Sequence, residues 1–550
     1  MVSTSAFRPD LSPPFAQVSV FRPRRSRDWS LTGVGPLPGP SLFDHATRLV
    51  AEHGDGPLPR GGEPLPDEPP PDPSKLRYGP GVMDGIGAGA AGPGESQPAV
   101  IAASAILDLL QAVPSTKKVH AVAARLAEVE GPSSFDQMLE TLKTGGANRA
   151  HLAELSRWLC THGTHRQQVK AGIAMLGVSG APDDTALVNT LGRLEELTLY
   201  SLVALSNLQP DKAEQAIFDL ARQVEGWGRI HALYRLAGTS DPTIKAWMLR
   251  GGYVNGVMDE EVAYIAASTG GLEEALAGAV DEELLDWSGR LLVALAIGGP
   301  AKDMTHYADG ATALASYLRE VGNVSATLLR LQHLYDIERY LTGWAVENPL
   351  IDDGTREALS AQVTEILNRP DWPPLVAGGL VSTDVGTVKA VLRLAPRYEL
   401  DPVPVVLDWL PAEPHDAYLW QIVLAAATAD NIDELVELAG RVLPWSAIKT
   451  GPAKDFGLGP DYRAEACLDQ ILQRLNKFPG HGWAAIEVGL TCRVTRNRNL
   501  AIRALDEWPR DAWPEGAQGG LRRLLFQEPD DKARQRVKDL LGQAADEQNK

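Results

Sequence analysis

The sequence predicts an all-α protein, an α-solenoid of stacked antiparallel helix pairs with a flexible Pro/Gly-rich N-terminal region. The first observation behind this prediction is that apolar residues recur at helical spacing. One such set is Ile217, Leu220, Ala221 and Val224. Each set forms an apolar stripe that must be buried against a neighbouring element. The second observation is that Gly, Pro or Asp residues separate these helices at regular intervals. Repeated helix pairs without intervening strands usually stack into a solenoid.

Composition supports a folded, helical protein. Hydrophobic residues make up 44% of the chain and charged residues 22%, which is the balance of a folded domain. Aromatic residues are only 6%, and Ala and Leu dominate the apolar set. This mixture favours helices over strands. Because the chain has 550 residues, we expect several domains or an extended repeat array rather than one core.

Charge and cysteine content limit the classes of function. The net charge is −19, and a strongly negative surface repels phosphate backbones, so nucleic-acid binding is disfavoured. The three cysteines are widely separated, which does not describe a disulfide framework and fits a reducing compartment. The sequence has no signal-peptide core and no apolar run of membrane-spanning length. We therefore expect a cytoplasmic protein without a membrane span.

The composition changes along the chain and predicts three regions. Residues 1–97 combine a basic segment with a Pro/Gly-rich linker and are expected to be largely irregular. The window from Gly54 to Pro98 contains eleven prolines and eleven glycines, which favours an extended or disordered chain. Residues 98–209 are predicted to form a helical capping bundle, and residues 210–550 to form helical repeats.

Several helix boundaries are visible as capping residues. Ser41 precedes a short apolar-periodic segment and is predicted to cap a helix there. In the sequence Gly238-Thr-Ser-Asp-Pro242, Ser240 or Asp241 can cap the next helix, and Pro242 suits its first turn. The run from Val403 to Leu407 resembles a strand in composition. Pro402 and Pro404 argue against a central strand at that position.

The later helices resemble the HEAT-like family of α-helical repeats. The residues that carry this resemblance are Asp241-Pro242 with Lys245, Asp530 or Asp531 with Lys532 and Val537, and, more weakly, Asn499, Leu500 and Arg503. The resemblance implies stacked helix pairs over residues 210–550 and leaves the function open. Residues 224–258 are also similar to a bacterial HEAT-like group, of which some members are labelled limonene hydroxylase. That resemblance would imply an oxidoreductase, but no motif in this chain accounts for such chemistry.

The segment around two tryptophans is the predicted partner-binding surface. Two glycines flank Trp227, so the backbone there can turn sharply or pack closely. Arg229 and His231 can then face a groove with polar and aromatic residues of the next helix pair. The predicted partner-binding residues are Trp227, Arg229, His231, Lys245, Trp247, Arg250, Tyr253 and Asn255. The competing interpretation is that the tryptophans fill gaps between helices and that Arg229 pairs with a nearby acid.

Two other motifs predict no site. Gly87, Gly89 and Gly92 match a dinucleotide-binding pattern, but neither a buried strand before them nor a helix after them is indicated. Cys160, His162 and His165 include zinc-ligand residue types. They lie around a helix boundary, however, and a buried thiol with a helix-terminal histidine explains them without a metal. We therefore predict no metal and no cofactor.

Basic clusters provide an alternative function. Residues 22–27 and the run from Arg493 to Arg503 are rich in arginine and can meet acidic partners or phosphates. HEAT-like folds include DNA-repair glycosylases, although the net charge opposes that function here.

The adjacent carboxylates of Glu260 and Glu261 do not face each other on a helix and are poor acid–base pairs.

We predict a non-catalytic helical-repeat scaffold that binds a protein or peptide partner on its concave face. An oxidoreductase of the limonene hydroxylase-labelled group and a HEAT-like nucleic-acid-binding protein are the alternatives. Whether the chain catalyses any reaction stays open, with a non-catalytic role favoured. The sequence does not specify an oligomeric state or the identity of the partner.

Overall fold

A computed structural model describes residues 29–90, 96–344 and 348–548. Helices make up 68% of the structure, and these residues contain 29 α-helices and no β-strand. The predicted all-α class is therefore confirmed. A single isolated parallel bridge joins Asp455 and Val494. The basic cluster at residues 22–27 and the third glycine of the dinucleotide-like pattern, Gly92, lie outside the described residues.

The helices follow one another closely along the chain. The first sixteen are α1 (Leu42–His53), α2 (Val82–Ala90), α3 (Gln97–Gln111), α4 (Thr116–Leu126), α5 (Pro132–Thr144), α6 (Arg149–His162), α7 (Arg166–Ser179), α8 (Thr185–Gly192), α9 (Glu195–Leu208), α10 (Ala213–Ala221), α11 (Gly226–Leu236), α12 (Pro242–Trp247), α13 (Glu260–Gly270), α14 (Leu272–Ala277), α15 (Glu282–Ile297) and α16 (Gly310–Gly322). The others are α17 (Leu328–Arg339), α18 (Asp353–Leu367), α19 (Trp372–Leu380), α20 (Val385–Leu392), α21 (Val403–Trp409), α22 (Ala417–Ala425), α23 (Ile432–Val442), α24 (Trp445–Ile448), α25 (Arg463–Leu475), α26 (Trp483–Leu490), α27 (Thr495–Glu507), α28 (Ala517–Gln527) and α29 (Asp531–Gln548).

Short side chains start several helices as the sequence predicts. The Ser41 hydroxyl accepts a hydrogen bond from the amide of Asp44 at 3.0 Å and caps α1. Asp241, rather than Ser240, caps α12 by accepting from the amides of Thr243 and Ile244. These bonds satisfy amide donors that have no partner inside the helix. The strand-like run at residues 403–407 lies in helix α21, which agrees with the argument from its prolines against a central strand.

The chain divides into two compact units. Unit 1 contains the described parts of Met1–Pro69, Tyr78–Ser325 and His333–Leu367, and unit 2 contains Pro70–Arg77, Ala326–Gln332 and Asn368–Lys550. These two compact units have other boundaries than residues 98 and 210. The division predicted there separates a capping bundle from helical repeats, and it remains a prediction.

Within unit 1 the helices pack on near neighbours in the chain. Helix α7 packs against both α6 and α9, while α9, α11, α13 and α15 contact one another in succession. Apolar side chains dominate the core between α6, α7 and α9, where Leu159, Ile173 and Leu202 are fully buried. Burial of such side chains from successive helices is the main source of stability in a helical protein.

Unit 2 shows the same order of contacts within itself. Helix α27 packs against α25, α26 and α29, and α26 packs against α28. The predicted stripe of α27 is buried as expected, since Ala501, Ala504 and Leu505 are at most 1% exposed. Trp508 continues this stripe and donates its indole N–H to the carbonyl of Leu475 at 2.9 Å.

Much of the Pro/Gly-rich segment packs against unit 1 and is not an extended linker. Leu58 and Leu65 are each only 3% exposed. The carboxylate of Asp67 accepts a hydrogen bond from the amide of Arg166 at 2.8 Å and another from its guanidinium at 3.0 Å. Helix α2 lies in this segment as well. Composition could not reveal this packing, because the groups that hold the segment are distant in sequence.

Within residues 29–90, 96–344 and 348–548, no helix combines the length and the apolar character needed to cross a bilayer.

Candidate functional site

The predicted surface on α11 and α12, here called the α11–α12 surface, comprises the eight residues from Trp227 to Asn255 named above. The guanidinium at its centre, that of Arg229, bonds to backbone groups of unit 1 itself. Arg229 Nε donates to the carbonyl of Val224 at 2.9 Å, and its Nη1 donates to the carbonyl of Val254 at 2.9 Å. The guanidinium carbon also lies 5.9 Å from the ring centre of Trp247. Arg229 therefore links α11 to the loop that follows α12.

Three residues of the α11–α12 surface are buried. Tyr253 is 0% exposed, Asn255 2% and His231 6%. The side-chain oxygen Oδ1 of Asn255 accepts from the backbone amides of Val257 and Met258, and its side-chain nitrogen Nδ2 donates to the backbone carbonyl of Met258. Burial lowers the pKa of His231 to about 3, so this ring is neutral at ordinary pH. These three side chains stabilise the loop and the helix pair.

The remaining members of this surface are half-buried. Arg250 forms ion pairs with Asp281 at 2.7 Å and Glu283 at 2.7 Å. The hydrogen bond from Arg250 is the main reason that the pKa of Asp281 falls to about 2. The Trp247 ring packs edge-on against Phe218 at a centroid distance of 5.3 Å. Trp227 and Lys245 are likewise half-buried. The structure thus brings the predicted residues together, but mostly as partners of unit 1 itself.

A buried carboxylate lies close to this surface. Glu195 is only 6% exposed and accepts a hydrogen bond from the amide of Glu225 at 3.2 Å. Burial raises the pKa of Glu195 to about 7. A β-carbon on Gly226, which has φ +53°, would overlap the Glu195 carboxylate. Gly226 is therefore needed both for its backbone angle and for the space that Glu195 occupies.

Unit 1 also contains a buried ionic cluster that the sequence analysis missed. Lys170 is 2% exposed and its ammonium lies 2.5 Å from Asp84 and 2.6 Å from Glu196. The Tyr200 hydroxyl donates to Asp84 at 3.1 Å. Burial lowers the pKa of Lys170, but the two carboxylates outweigh burial and leave it above its ordinary value. The cluster attaches α2 to α7 and α9. The signal in the sequence was a lysine inside the apolar run of α7.

The side chains of Cys160, His162 and His165 pack within or cap the helices α6 and α7. The Cys160 thiol is fully buried, and burial raises its pKa. The His162 ring stacks on Trp158 at a centroid distance of 5.0 Å. His165 caps α7 by accepting from the amide of Gln167 at 3.2 Å. Among the described residues, no group of three or more Cys, His, Asp and Glu side chains is arranged to hold a metal ion.

Unit 2 contains a concave groove of about 850 Å³, here called the groove. Helix α27 lines one part of it. Residues 453–458 line another part and are here called the extended segment, because the chain forms a β-bridge at Asp455 before it turns at Gly457. Its apolar contacts include Phe456 and Leu458, which are 50% and 54% exposed. Its cationic side chains are Lys454, Arg496, Arg503 and Arg536, and its carboxylates are Asp455, Asp506 and Asp530. A half-exposed aromatic ring among arginines has the chemistry of a recognition surface.

Backbone hydrogen bonds hold the extended segment in place. The Ala453 amide donates to the carbonyl of Arg493 at 3.3 Å, and the Thr495 amide donates to the carbonyl of Asp455 at 3.3 Å. Gly457 follows with φ +72°, and a β-carbon there would lie 2.5 Å from Val494. This close approach requires glycine and turns the chain after Phe456.

A fully buried ion pair fixes this segment to the helices. Arg498 lies in α27, and its Nε and Nη2 each lie 2.6 Å from a different oxygen of Glu528. Both side chains are 0% exposed. Arg498 Nη2 also donates to the carbonyl of Ala453 at 2.8 Å. One guanidinium therefore holds the extended segment and the end of α28 on α27.

Other arginines of the basic cluster predicted at residues 493–503 are paired with acids. Arg493 Nε donates to Glu465 at 3.0 Å, and its guanidinium stacks over Tyr462. Arg496 pairs with Asp469, and Arg503 pairs with Glu507 one helical turn away. Such pairing reduces the positive field that a nucleic-acid surface needs.

Comparison with models of protein families, with curated proteins and with solved structures gives no match to this chain. The class that the structure defines is therefore an all-helical protein with a groove in unit 2. The HEAT-like resemblance remains a prediction from the sequence.

Proposed function

We propose that this chain is a non-catalytic helical-repeat scaffold, and that the groove binds a peptide segment of a partner protein. The observation that carries this proposal is the half-exposed Phe456 and Leu458 beside arginines, on a backbone held by the buried Arg498–Glu528 pair. Aromatic and arginine side chains dominate binding energy at protein interfaces. A rigid frame reduces the entropy that a partner loses on binding.

The burial of the cysteines argues against catalysis by a cysteine nucleophile. All three cysteines are buried. Burial raises the pKa of Cys467 to about 12 and that of Cys492 to about 12, so both remain thiols at neutral pH. Because the thiolate is the reactive form, these side chains are poor nucleophiles.

The order of helix contacts supports the repeat part of the proposal. In each unit, a series of helices contacts the next helix but one, as for α9, α11 and α13 in unit 1 and for α25, α27 and α29 in unit 2. Stacked helix pairs of a HEAT-like array produce this order. The α-solenoid arrangement is accordingly part of the proposal, along with the resemblance quoted from the sequence.

A peptide selection tests the proposed binding. We would select peptides from a random library on the full chain and measure their affinity for the double variant Phe456→Ala, Leu458→Ala. Removing an aromatic anchor costs about 2 kcal/mol, so we expect affinity to fall roughly 30-fold.

Phe526→Ala is the matched control, because Phe526 is 90% exposed on α28 and does not line the groove. We expect this variant to bind the selected peptides as tightly as the unchanged chain. Peptides that bind the groove variant and the control equally well, or the failure to select any peptide, would refute the groove as the binding site.

A further inference from the structure

A turn of the same unit lies against the outer edge of the extended segment. The amide of Phe456 donates to the carbonyl of Pro73 at 3.2 Å. Pro73 lies in a turn that the Lys75 amide closes by donating to the carbonyl of Asp72 at 3.1 Å. This turn belongs to unit 2, borders the groove at Ser74 and leaves the groove open. The Phe456 amide is therefore not available to a partner.

The inner edge of the extended segment is bonded as well. Its residues 453 and 455 bond to residues 493–495. Adding a strand requires free N–H and C=O groups on alternate residues of one edge. Since the Phe456 amide is taken, Lys454 is the one residue of the outer edge that offers both groups before the chain turns at Gly457. A single residue is too short a template for a bound strand.

A partner segment in the groove must accordingly satisfy its own backbone groups. The other walls of the groove come from α27, α29 and the residues just before α29. Helices bond their backbone groups internally, so these walls present side chains. Backbone N–H and C=O groups that are buried without partners cost free energy. A helical segment avoids this cost, whereas an extended segment does not.

The face of α27 that lines the groove has the length of a helix-to-helix contact. This face includes Arg496, Leu500, Arg503 and Asp506. Residues three and four apart share one face of a helix. At about 1.5 Å per residue the face is about 15 Å long, which matches a partner helix of about three turns. Half-buried Leu500, with Phe456 and Leu458, offers apolar contacts to side chains spaced i, i+3 or i+4, and i+7 on that helix.

Most charged side chains that line the groove are already bonded within unit 2. A bonded charge contributes little attraction to an incoming partner, because its field is partly cancelled. The bonded groups are Arg496 with Asp469, Arg503 with Glu507, Asp455 with the Tyr462 hydroxyl, and Asp530 with the amide of Ala533.

Two cations of the groove have no carboxylate partner among the described residues. Lys454 is exposed and forms no ion pair there, and Arg536 donates to the neutral amide oxygen of Asn499 at 3.2 Å. Asp506 is the one lining carboxylate that has no bond in the described part of the chain. The charge left for a partner is therefore net positive, and it favours acidic side chains on the bound helix.

We propose that the groove recognises an amphipathic α-helix of about three turns in a partner protein, with acidic side chains beside its apolar face. This inference rests on the proposed function, and it adds the conformation and the charge of the partner segment. The apolar face of the helix contacts Phe456, Leu458 and Leu500. Its carboxylates pair with Lys454 and Arg536.

Two libraries of peptides of about 12 residues, roughly three turns, test the conformation on the full chain. One library has a helical template rich in Ala and Glu, with random apolar residues at i, i+3, i+4 and i+7. The other has proline at every third position and favours the extended polyproline conformation. We expect binders from the helical library alone.

The tightest helical binder then receives a proline at its centre. Fluorescence anisotropy should show at least tenfold weaker binding, because proline breaks a helix interior. Proline at the first helical position is the matched control, since the first turn accepts it, and should leave the affinity unchanged.

The charge of the partner is tested on the protein. The double variant Lys454→Gln, Arg536→Gln should bind the tightest helical peptide about fivefold more weakly, with less dependence on salt. Arg522→Gln is the matched control, because Arg522 is exposed on α28 and does not line the groove. Equal affinity of the double variant and the control would overturn the acidic helix as the partner.

The outcomes separate this inference from the proposed function. If peptides of the proline library bind and lose affinity in Phe456→Ala, Leu458→Ala, the helical inference is wrong and the binding function stands. The same holds if the helical binder tolerates the central proline. If no peptide of either library binds, both the inference and the proposed function are wrong.

Discussion

The α11–α12 surface of unit 1 and the groove of unit 2 are alike in composition, but they differ in how far their aromatic side chains are exposed to solvent. Both combine aromatic rings with arginines near a turn that contains glycine. In unit 1, Arg229 donates to backbone carbonyls and Tyr253 is fully buried. In unit 2, Arg498 takes the internal role, while Phe456 remains half-exposed. Residue type therefore identifies candidate anchors, but burial decides which of them can meet a partner.

The largest expected effect concerns the support below the groove. Arg498→Ala leaves the Glu528 carboxylate buried without its cation, so we expect a loss of about 3–5 kcal/mol in the free energy of unfolding. Urea denaturation measures this loss. Arg503→Ala, which breaks an exposed ion pair on the same helix, should change it by less than about 1 kcal/mol. Similar effects of the two variants would contradict the supporting role of Arg498.

The second prediction concerns Glu195 beside the α11–α12 surface. The pKa of Glu195 is raised from 4.5 to about 7, so the folded state keeps its proton at a pH where the unfolded chain has lost it. The free energy of unfolding should therefore fall as the pH rises from 4.5 to 7, with Glu195 contributing about 3 kcal/mol.

Stability measured across this pH range in Glu195→Gln should lack that contribution, because glutamine does not ionise. Glu214→Gln is a control, since Glu214 is exposed on α10. If the pH profiles of Glu195→Gln and the unchanged chain have the same shape, Glu195 does not have the raised pKa.

The third prediction separates support from binding directly. Arg229→Met removes donors from the carbonyls of Val224 and Val254, and we expect a loss of about 1–2 kcal/mol in stability. Peptide affinity at the groove should not change. Phe456→Ala should show the reverse pattern, with weaker peptide binding and nearly unchanged stability. A loss of peptide affinity in Arg229→Met would show that the α11–α12 surface takes part in binding.

The smallest expected effect concerns the cap of α12. Asp241→Ala removes the acceptor for the amides of Thr243 and Ile244 and should cost about 1 kcal/mol. Asp241→Asn keeps an oxygen acceptor and should cost less. Thermal unfolding of both variants checks the order, and an equal loss would indicate that the carboxylate charge, rather than the hydrogen bonds, stabilises the start of α12.

Part of the fold was predictable because its causes lie close together in the sequence. The caps at Ser41 and Asp241 act on amides two or three residues away. The apolar stripe of α27 is likewise a local pattern. The groove was only partly predictable, since its arginines were visible as a basic cluster while the exposure of Phe456 was not.

The contacts that join distant residues were not predictable. Lys170 meets Asp84, which lies 86 positions away in a segment whose composition indicated a linker. Phe456 meets Pro73 from a proline run that also favoured a spacer. The lysine inside the apolar run of α7 indicates that a buried partner is needed, but no periodic or short-range signal identifies that partner as Asp84 or places Pro73 beside Phe456.

The sequence by itself determined the helical class, the starts of helices such as α1 and α12, and the absence of strands in the described residues. These properties follow from periodicity, propensity and capping, which act within a few residues. Only the tertiary structure decided which arginines stabilise the protein internally and which line a groove, and where the proline run lies. Burial depends on what packs against a side chain, and distant parts of the chain supply those neighbours.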